Sequence, residues 1–577
     1  MQRVRVSRLE PLEGHSKGLA PKRLVSILPS QRTCNITVFL HPALGLEVHP
    51  QKGNTRIPYQ TVTNTSNIIS QVGVATMLSQ DLSDLEMSFS ISVIDMRAER
   101  TPGSSKKIHY KSMPYANGTA NCYRVGSLDF EDVREEIRSS DVICLTCNFT
   151  TESAIVSAFI TYCKETNPDV KIVIGGRDAS SRAAYYIQAG ADVVILGYGE
   201  RYGAEAIKRL FRRESLEGIP GIITHSLPGT VESTSGAVNT RLYEREIVPW
   251  RCRERAFFTL DYATRDSKMP RVWQREERPY EFGLVDLSLY TRSMNGELPE
   301  GIKTPLMNIS FSRGCIERCK FCTTHGEVYD FLDIFDAALL IGCYRSIGIR
   351  SLVSSEDNFL ARIKLGLRQE VITISRLIRA NLFAIDYANG LQMDLFGKRE
   401  RGKFVIDEEL IEEVLGHIRI GTSLFLGCYS LYWPLETFRE DTRTHENLRK
   451  LLTWEDQLQL IDAVAKLKIP KISFGIIIFH DYSREDIKDL VRKAREIKRL
   501  VIDRSQGQTS VHFSIFNEIF APGAPNFFDS ARQHLIRHPI DVDPELWGAY
   551  TPAYDGTSLS LQRLFELRRR AAIAINT

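Results

Sequence analysis

Long hydrophobic runs are missing from this chain of 577 residues, and no stretch is apolar for long enough to span a bilayer. The basic start (Arg3, Arg5, Arg8, Lys17, Lys22, Arg23) has no apolar segment behind it, so it does not read as a secretory signal. Excess charge is missing as well. The 74 Lys and Arg against 71 Asp and Glu leave a formal +3, too little to argue for nucleic acid or an anionic membrane as a partner. The 11 cysteines are scattered and make no disulfide framework, which fits a reducing cytoplasm. No G-x-G-x-x-G opens the first helix, which disfavours a dinucleotide. What is present is ordinary for a globular protein, 43% hydrophobic and 25% charged, with length for about three to four domains.

Three of the cysteines stand together. Cys315, Cys319 and Cys322 have a C-x3-C-x2-C spacing inside Ser312-Arg-Gly-Cys-Ile-Glu-Arg-Cys-Lys-Phe-Cys322. Thiolates are soft ligands, and a loop this short wraps one cluster, so iron–sulfur is the natural guest. An electron-transfer [4Fe-4S] cluster takes four cysteines. Three leave one iron open to a small molecule, the usual sign of chemistry rather than structure. A zinc knuckle lacking a ligand and three free thiols are the alternatives from spacing alone. Gly314 relaxes the turn before the first ligand, and Phe321 precedes the last, placed to lie against a flat ring.

Ahead of this loop, apolar runs at 35–40, 88–95, 141–147, 170–176 and 191–197 alternate with helical patterns at 129–140, 152–166, through Ala184 and Ile187, and at 202–211. Continuous apolar strands alternating with helices predict a parallel sheet covered on both faces, with ligands beyond the carboxyl ends of the strands. Those ends are small or glycine-rich: Thr146-Cys147-Asn148, Gly175-Gly176 and Gly197-Tyr198-Gly199-Glu200. Glycine there lets a large ligand approach the backbone. Cys144 and Cys147 spell a redox half-site but fall in a predicted buried strand, where they read as small hydrophobes.

From 301 onward six strand–helix units are predicted, with strands at 306–312, 351–355, 383–388, 423–430, 472–479 and 510–516. Asp407, Thr453-x-x-Asp456 and Ser483-x-x-Asp486 open three of the helices, the first of them predicted over 408–418. Six β/α repeats make an open partial barrel, whose chemistry belongs at the carboxyl ends of its strands. The cysteine loop follows the first strand, where that rule puts it. A last amphipathic helix is predicted at 561–575, with Arg568-Arg-Arg570 on its solvated face.

The cysteine motif in this position resembles that of the radical S-adenosylmethionine (radical SAM) enzymes. The run Gly-Ala-Asp-Val-Val-Ile-Leu-Gly-Tyr-Gly-Glu200 resembles the cobalamin-binding domain placed ahead of many of them, as in the class B radical SAM methyltransferases. The resemblance implies an α/β chain of five parts: a leader (1–29), a Rossmann-like cobalamin-binding domain (30–225), a linker (226–300), a partial (β/α)6 TIM-type barrel (301–525) and a small helical region that shapes the substrate pocket (526–577). It implies a [4Fe-4S] cluster on Cys315, Cys319 and Cys322. It places SAM against Phe321, Glu356, Asp357, Ser430, Gly475 and Ile477, and cobalamin against Thr146, Cys147, Gly175, Gly176, Gly197, Tyr198, Gly199 and Glu200.

The chain departs from the family in four places. The D-x-H-x-x-G motif is absent, leaving His41 and His49 as possible lower ligands, although plain satisfied histidines are the better reading. Gly175-Gly-Arg-Asp178 stands for the usual Gly-Gly-Pro-His. Tyr429-Ser430 stands for the usual Glu-Ser ending of the fourth strand, and His480-Asp-Tyr-Ser483 for the Gly-x-Pro-Gly after the fifth. The implied activity is methylation of a carbon centre of a small molecule in natural-product biosynthesis, with a flavodoxin- or ferredoxin-type reductant and the two cofactor faces enclosing the substrate. The alternatives are a radical SAM rearrangement, cyclisation or oxidation with non-methylating or absent cobalamin, and a non-catalytic iron–sulfur protein.

Overall fold

A computed structural model describes residues 9–11, 22–28, 31–50, 69–99, 103–196, 199–217, 219, 222–224, 287–291, 297–324, 329–446, 448 and 452–577. Most of the predicted linker lies outside them, as do Gly197 and Tyr198. The chain divides into two compact units, one of Met1–Pro114 and Gly118–Leu289, the other of Tyr115–Asn117 and Tyr290–Thr577.

The first unit is built on an eight-stranded sheet. Its elements are β1 (Leu9–Pro11), β2 (Lys22–Ser26), β3 (Cys34–Leu40), β4 (Ala43–Pro50), α1 (Ile69–Asp84), β5 (Phe89–Asp95), β6 (Lys106–Tyr115), β7 (Gly118–Gly126), α2 (Arg134–Ser139), β8 (Val142–Thr146), α3 (Ser153–Thr166), β9 (Lys171–Gly175), α4 (Arg177–Ser181), α5 (Ala183–Gln188), β10 (Val193–Ile195), α6 (Gly199–Arg212) and β11 (Ile222–Ile223). The order is β1-β2-β5-β3-β8-β9-β10-β11. The middle run β5-β3-β8-β9-β10 is parallel throughout. These are the five predicted strands, and they are legible because both faces are buried, leaving runs such as Ile36-Thr-Val-Phe-Leu40 with almost no exposed side chain. Antiparallel β1, β2 and β11 extend its edges, and β4-β7-β6 form a separate three-stranded sheet. The sequence reading did not anticipate these.

The second unit contains β12 (Leu306–Ile309), β13 (Ser312–Arg313), β14 (Asp330–Phe331), α7 (Ile334–Ser346), β15 (Ser351–Ser354), α8 (Ala361–Lys364), α9 (Arg368–Ala380), β16 (Ala384–Tyr387), β17 (Gly397–Glu400), β18 (Lys403–Ile406), α10 (Glu408–Leu415), β19 (His417–Ile420), β20 (Leu424–Glu436), α11 (Glu440–His445), α12 (Trp454–Ala465), β21 (Lys471–Ile478), α13 (Arg484–Arg504), β22 (Ser510–Asn517), α14 (Ser530–Gln533) and α15 (Leu561–Asn576). Strands β12, β15, β16, β20, β21 and β22 are neighbours in that order and all parallel. Their carboxyl ends therefore share one edge.

The predicted caps are real. Asp407 accepts from the Leu410 N–H at 3.0 Å, and Thr453 and Ser483 each close a capping box with the aspartate three residues on. Two expectations change. The helix predicted to reach 418 ends at Leu415, because His417–Ile420 pairs antiparallel with β20. Arg568 is not on a solvated face. It is buried, donating to the Ile515 carbonyl at 3.2 Å and lying over the Tyr550 ring. Among the described residues no helix is long and apolar enough to cross a membrane.

Candidate active site

The cysteine loop leaves β12 and returns through β14. The Ser312–Arg313 and Asp330–Phe331 pairs form its neck. Arg362, wholly buried, ties that neck from behind: it donates to the carbonyls of Phe311 at 2.7 Å and Leu332 at 2.8 Å and is neutralised by Glu370 at 3.1 Å. Gly314 has φ +77°, the left-handed conformation a side chain would resist. Cys319 is buried, while Cys315 and Cys322 are partly exposed. The Cys322 N–H bonds the Cys319 carbonyl at 3.2 Å, and the Thr324 hydroxyl lies 2.9 Å from the Cys322 sulfur.

Among the described residues no three His, Cys, Asp or Glu side chains stand close enough together to hold a metal ion. The donor chemistry nevertheless fits a thiolate-held cluster. Three soft ligands share a loop of 20 or fewer residues at a strand end, and an amide donates to one of the sulfurs: Asn358 Nδ2 lies 3.7 Å from Cys315 Sγ. The Oδ1 of the same Asn358 is buried with no hydrogen-bond partner among the described residues, the mark of a site that awaits a donor.

The turn after β15 supplies the charge. Glu356 is buried, accepts from the Ser312 hydroxyl, and has its pKa pushed up to about 7 by burial, against the opposing pull of Ser312 and Arg362. Asp357 is partly exposed and accepts from the Gly314 N–H at 3.1 Å, holding the turn before the first cysteine. Asn358 donates to Gln392 at 2.7 Å and Gln392 to Asp394 at 3.2 Å, so a polar chain continues to the end of β16. Glu356 and Asp357 thus stand beside the cysteine loop. Asn358 and Gln392 were not singled out from sequence, where an amide carries no signal of its own.

The residues expected on the next two strands fare differently. Ser430 lies in mid-strand, opposite Asp386 and Lys471, because β20 runs on to Glu436. The strand therefore ends Leu435-Glu436-Thr437, an acid followed by a hydroxyl. Glu436 is buried and left-handed (φ +62°), an uncommon state for a residue with a side chain. Thr437 is pinned by the Tyr482 hydroxyl and by the Arg439 N–H at 3.1 Å. Gly475 does not offer open backbone: a Cβ there would fall 1.7 Å from the Tyr432 hydroxyl, so the glycine makes room for that tyrosine. Ile477 is partly exposed near the end of β21. Phe321 meets Phe479 edge-on, ring centroids 6.0 Å apart, which seats the cysteine loop against the end of β21.

In the first unit the strand order reverses between β3 and β8, and crevices in parallel sheets open at such points beyond the carboxyl ends. Thr146, Cys147, Gly175 and Gly176 come together there: Thr146 pairs with Gly175, and the Cys147 N–H bonds the Gly175 carbonyl at 2.9 Å. Gly176 has φ +104°, and a Cβ on it would lie 2.4 Å from the Cys147 carbonyl oxygen. Phe149 is 57% exposed beside them. Cys147 is buried with its thiol pKa pushed well up by burial, and that of Cys144 rises to about 12 for the same reason, which disfavours the reactive thiolate in both. Gly199 and Glu200 begin α6.

His41 is not poised as a metal ligand. It is buried, with Nδ1 2.8 Å from the Pro42 carbonyl and Arg97 within 3.4 Å of both ring nitrogens; burial, then Arg97, lowers its pKa to about 4. His49 sits on β4 in the separate sheet, 3.6 Å from Glu47. Asp178, at the histidine position of the Gly-Gly-Pro-His pattern that the resemblance implies, is buried in α4 and accepts from Thr150 at 2.6 Å and from Tyr186, a structural knot.

Residues 119–207 match the model of the B12 binding domain, and the chain is similar to cobalamin-binding radical SAM methyltransferases. Two proteins illustrate the likeness. The radical S-adenosylmethionine methyltransferase TsrM from Kitasatospora setae, solved with tryptophan substrate and the SAM analogue aza-SAM, superposes with a TM-score of 0.52 at 15% identity over 87% of this chain and 76% of its own. The same enzyme with cobalamin and a [4Fe-4S] cluster gives 0.51 at 14% identity, over 87% and 75%. The hopanoid C-3 methylase of Methylococcus capsulatus is 23% identical over 195 residues, 33% of this chain. The match spans only 29% of that enzyme's own length.

Proposed function

We propose that the chain is a cobalamin-dependent radical SAM methyltransferase acting on a carbon centre of a small molecule, in natural-product biosynthesis. One observation carries the reading: a three-cysteine loop stands at the carboxyl end of the first of six parallel strands, in a chain whose other unit matches a B12 binding domain. The strand order supports a partial (β/α)6 barrel for the second unit and a Rossmann-like sheet for the first.

Bound, the cofactors supply an electron to cleave SAM and a carrier for its methyl group. The residues do the rest. Cys315, Cys319 and Cys322 would hold the cluster, three thiolates for a group that can also take SAM. Asp357 and Glu356 face the SAM ammonium, a cation that needs a countercharge in a desolvated site. Glu436-Thr437 replaces Ser430 as the acid–hydroxyl pair for the ribose or carboxylate. Ile477 and Phe321 would supply apolar contact to the adenosine, and Gly475 would act only through Tyr432. Thr146, Cys147, Gly175 and Gly176, with 197–200, offer close backbone to cobalamin.

The test is anaerobic purification with iron, sulfide and cobalamin measured per chain, then reduction with SAM under turnover. Near-stoichiometric cobalamin and S-adenosylhomocysteine beside a methylated product support the reading. Cobalamin far below one per chain ends the methyltransferase assignment, and 5′-deoxyadenosine as the sole SAM product points to a radical reaction without methyl transfer.

A further inference from the structure

His480 follows β21, in the place where the family pattern that this chain resembles has Gly-x-Pro-Gly. Its ring is held from one side. Nδ1 lies 2.8 Å from Glu518 Oε2, and the His480 backbone N–H donates to the same oxygen at 3.1 Å. Glu518 has a side chain 0% exposed, and its other oxygen accepts from Asn526 Nδ2 at 2.7 Å with Arg532 Nε at 3.3 Å. Asn526 and Arg532 also bind the buried Glu446. The His480 carbonyl accepts from the Thr557 N–H at 2.9 Å, so the main chain is fixed as well. Asp481, the adjacent charge, is engaged by Arg439 at 3.3 Å.

A buried carboxylate that fixes Nδ1–H leaves Nε2 as the lone-pair nitrogen. No partner for Nε2 is found among the described residues, and the side chain keeps 15% exposure. The assembly also grips the cysteine loop. The Lys320 N–H donates to the Glu446 carbonyl at 3.0 Å, the Asn526 N–H donates to the Lys320 carbonyl at 3.1 Å, and Phe479, next to His480, meets Phe321. An oriented imidazole with one free nitrogen, fastened to the loop that carries the chemistry, is more than a strand-end histidine needs for packing.

We propose that His480, oriented by Glu518, is a general base that takes a proton from the substrate, which is therefore one that loses a proton from nitrogen, oxygen or carbon during the reaction. The substrate X–H bond gives its proton to Nε2 and keeps the electron pair. The imidazolium is offset by Glu518, which Arg532 and Asn526 hold in place, and the proton leaves through the exposed edge of the ring. No oxidant or reductant is consumed in this step. The role rests on the enzyme reading above.

The test uses the full chain loaded with iron, sulfide and cobalamin. Diethyl pyrocarbonate acylates a neutral imidazole nitrogen, and peptide mass spectrometry locates the adduct. His480 is expected to react at a rate comparable with His445, whose side chain is 61% exposed, and Glu518→Gln is expected to slow it about tenfold. An unlabelled His480, or a rate indifferent to Glu518→Gln, overturns the proposal.

The functional arm uses His480→Asn, which keeps a donor toward Glu518 and removes Nε2. In cells fed [methyl-13C]methionine, the labelled product of the wild type is expected to fall about a hundredfold, the lower range for a general base. Cluster absorbance and SAM-dependent methylation of cobalamin stay unchanged. Product at wild-type level in that variant overturns the role. A wild type that binds no cluster and yields no labelled product fails the enzyme reading instead, and the adduct measurements still decide whether the histidine is the exposed, oriented base described.

Discussion

Glu356 carries a carboxyl that stays protonated to about pH 7 because burial penalises its anion. In the unfolded chain the same group ionises near 4.5. Between those values the folded state binds more protons than the unfolded one, so stability falls as pH rises from about 4.5 to about 7 and is flat above. The whole effect is at most on the order of 3 kcal/mol. Glu356→Gln should flatten that slope in urea titrations across the window; an unchanged slope would place the proton elsewhere. A cation docked beside Glu356 favours its ionised form, so SAM binding at pH 6 should release a proton, visible as a buffer-dependent calorimetric heat that Glu356→Gln removes.

At this scale the sequence was most readable where a pattern is local. The cysteines declare themselves by spacing. The end of β20 did not, because Pro434 inside a strand argues for a stop, whereas here it sits beside a register shift and the strand continues to Glu436. Glu436→Gln should weaken SAM binding by about tenfold, measured by equilibrium dialysis on the reconstituted protein, while Ser430→Ala should leave it within about twofold.

Among elements, the parallel strands and capped helices were legible because burial on both faces and the S/T-x-x-D motif each leave a signature in a short window. The strands β4, β6 and β7 escaped notice. In β6, exposed lysines and a serine surround only two buried residues, and a strand of that kind acquires meaning only beside its partner. α1 was missed because serine and glutamine interrupt its apolar face. Two substitutions test the elements at the sites. Thr453→Ala removes a cap and should cost about 1 kcal/mol in chemical denaturation. Gly176→Ala forces a Cβ onto the Cys147 carbonyl in a left-handed backbone, and should lower the melting temperature and cobalamin content together.

For the whole molecule, the two units carry separate cores and separate candidate cofactor sites. Cys319→Ala should therefore abolish iron binding and SAM cleavage while cobalamin per chain stays near the wild-type value; joint loss would mean that the two sites do not load independently. The parallel sheets were visible in the alternation of strands and helices.

The neck tied by Arg362 bears on how the protein is made. With the carbonyls of Phe311 and Leu332 drawn onto one guanidinium, the cysteine loop is a side excursion from a sheet already closed behind it. On the function proposed above, the neck would persist with the loop empty, so iron loading would not require the chain to unfold. Zinc-finger domains, which collapse when stripped, stand at the opposite pole.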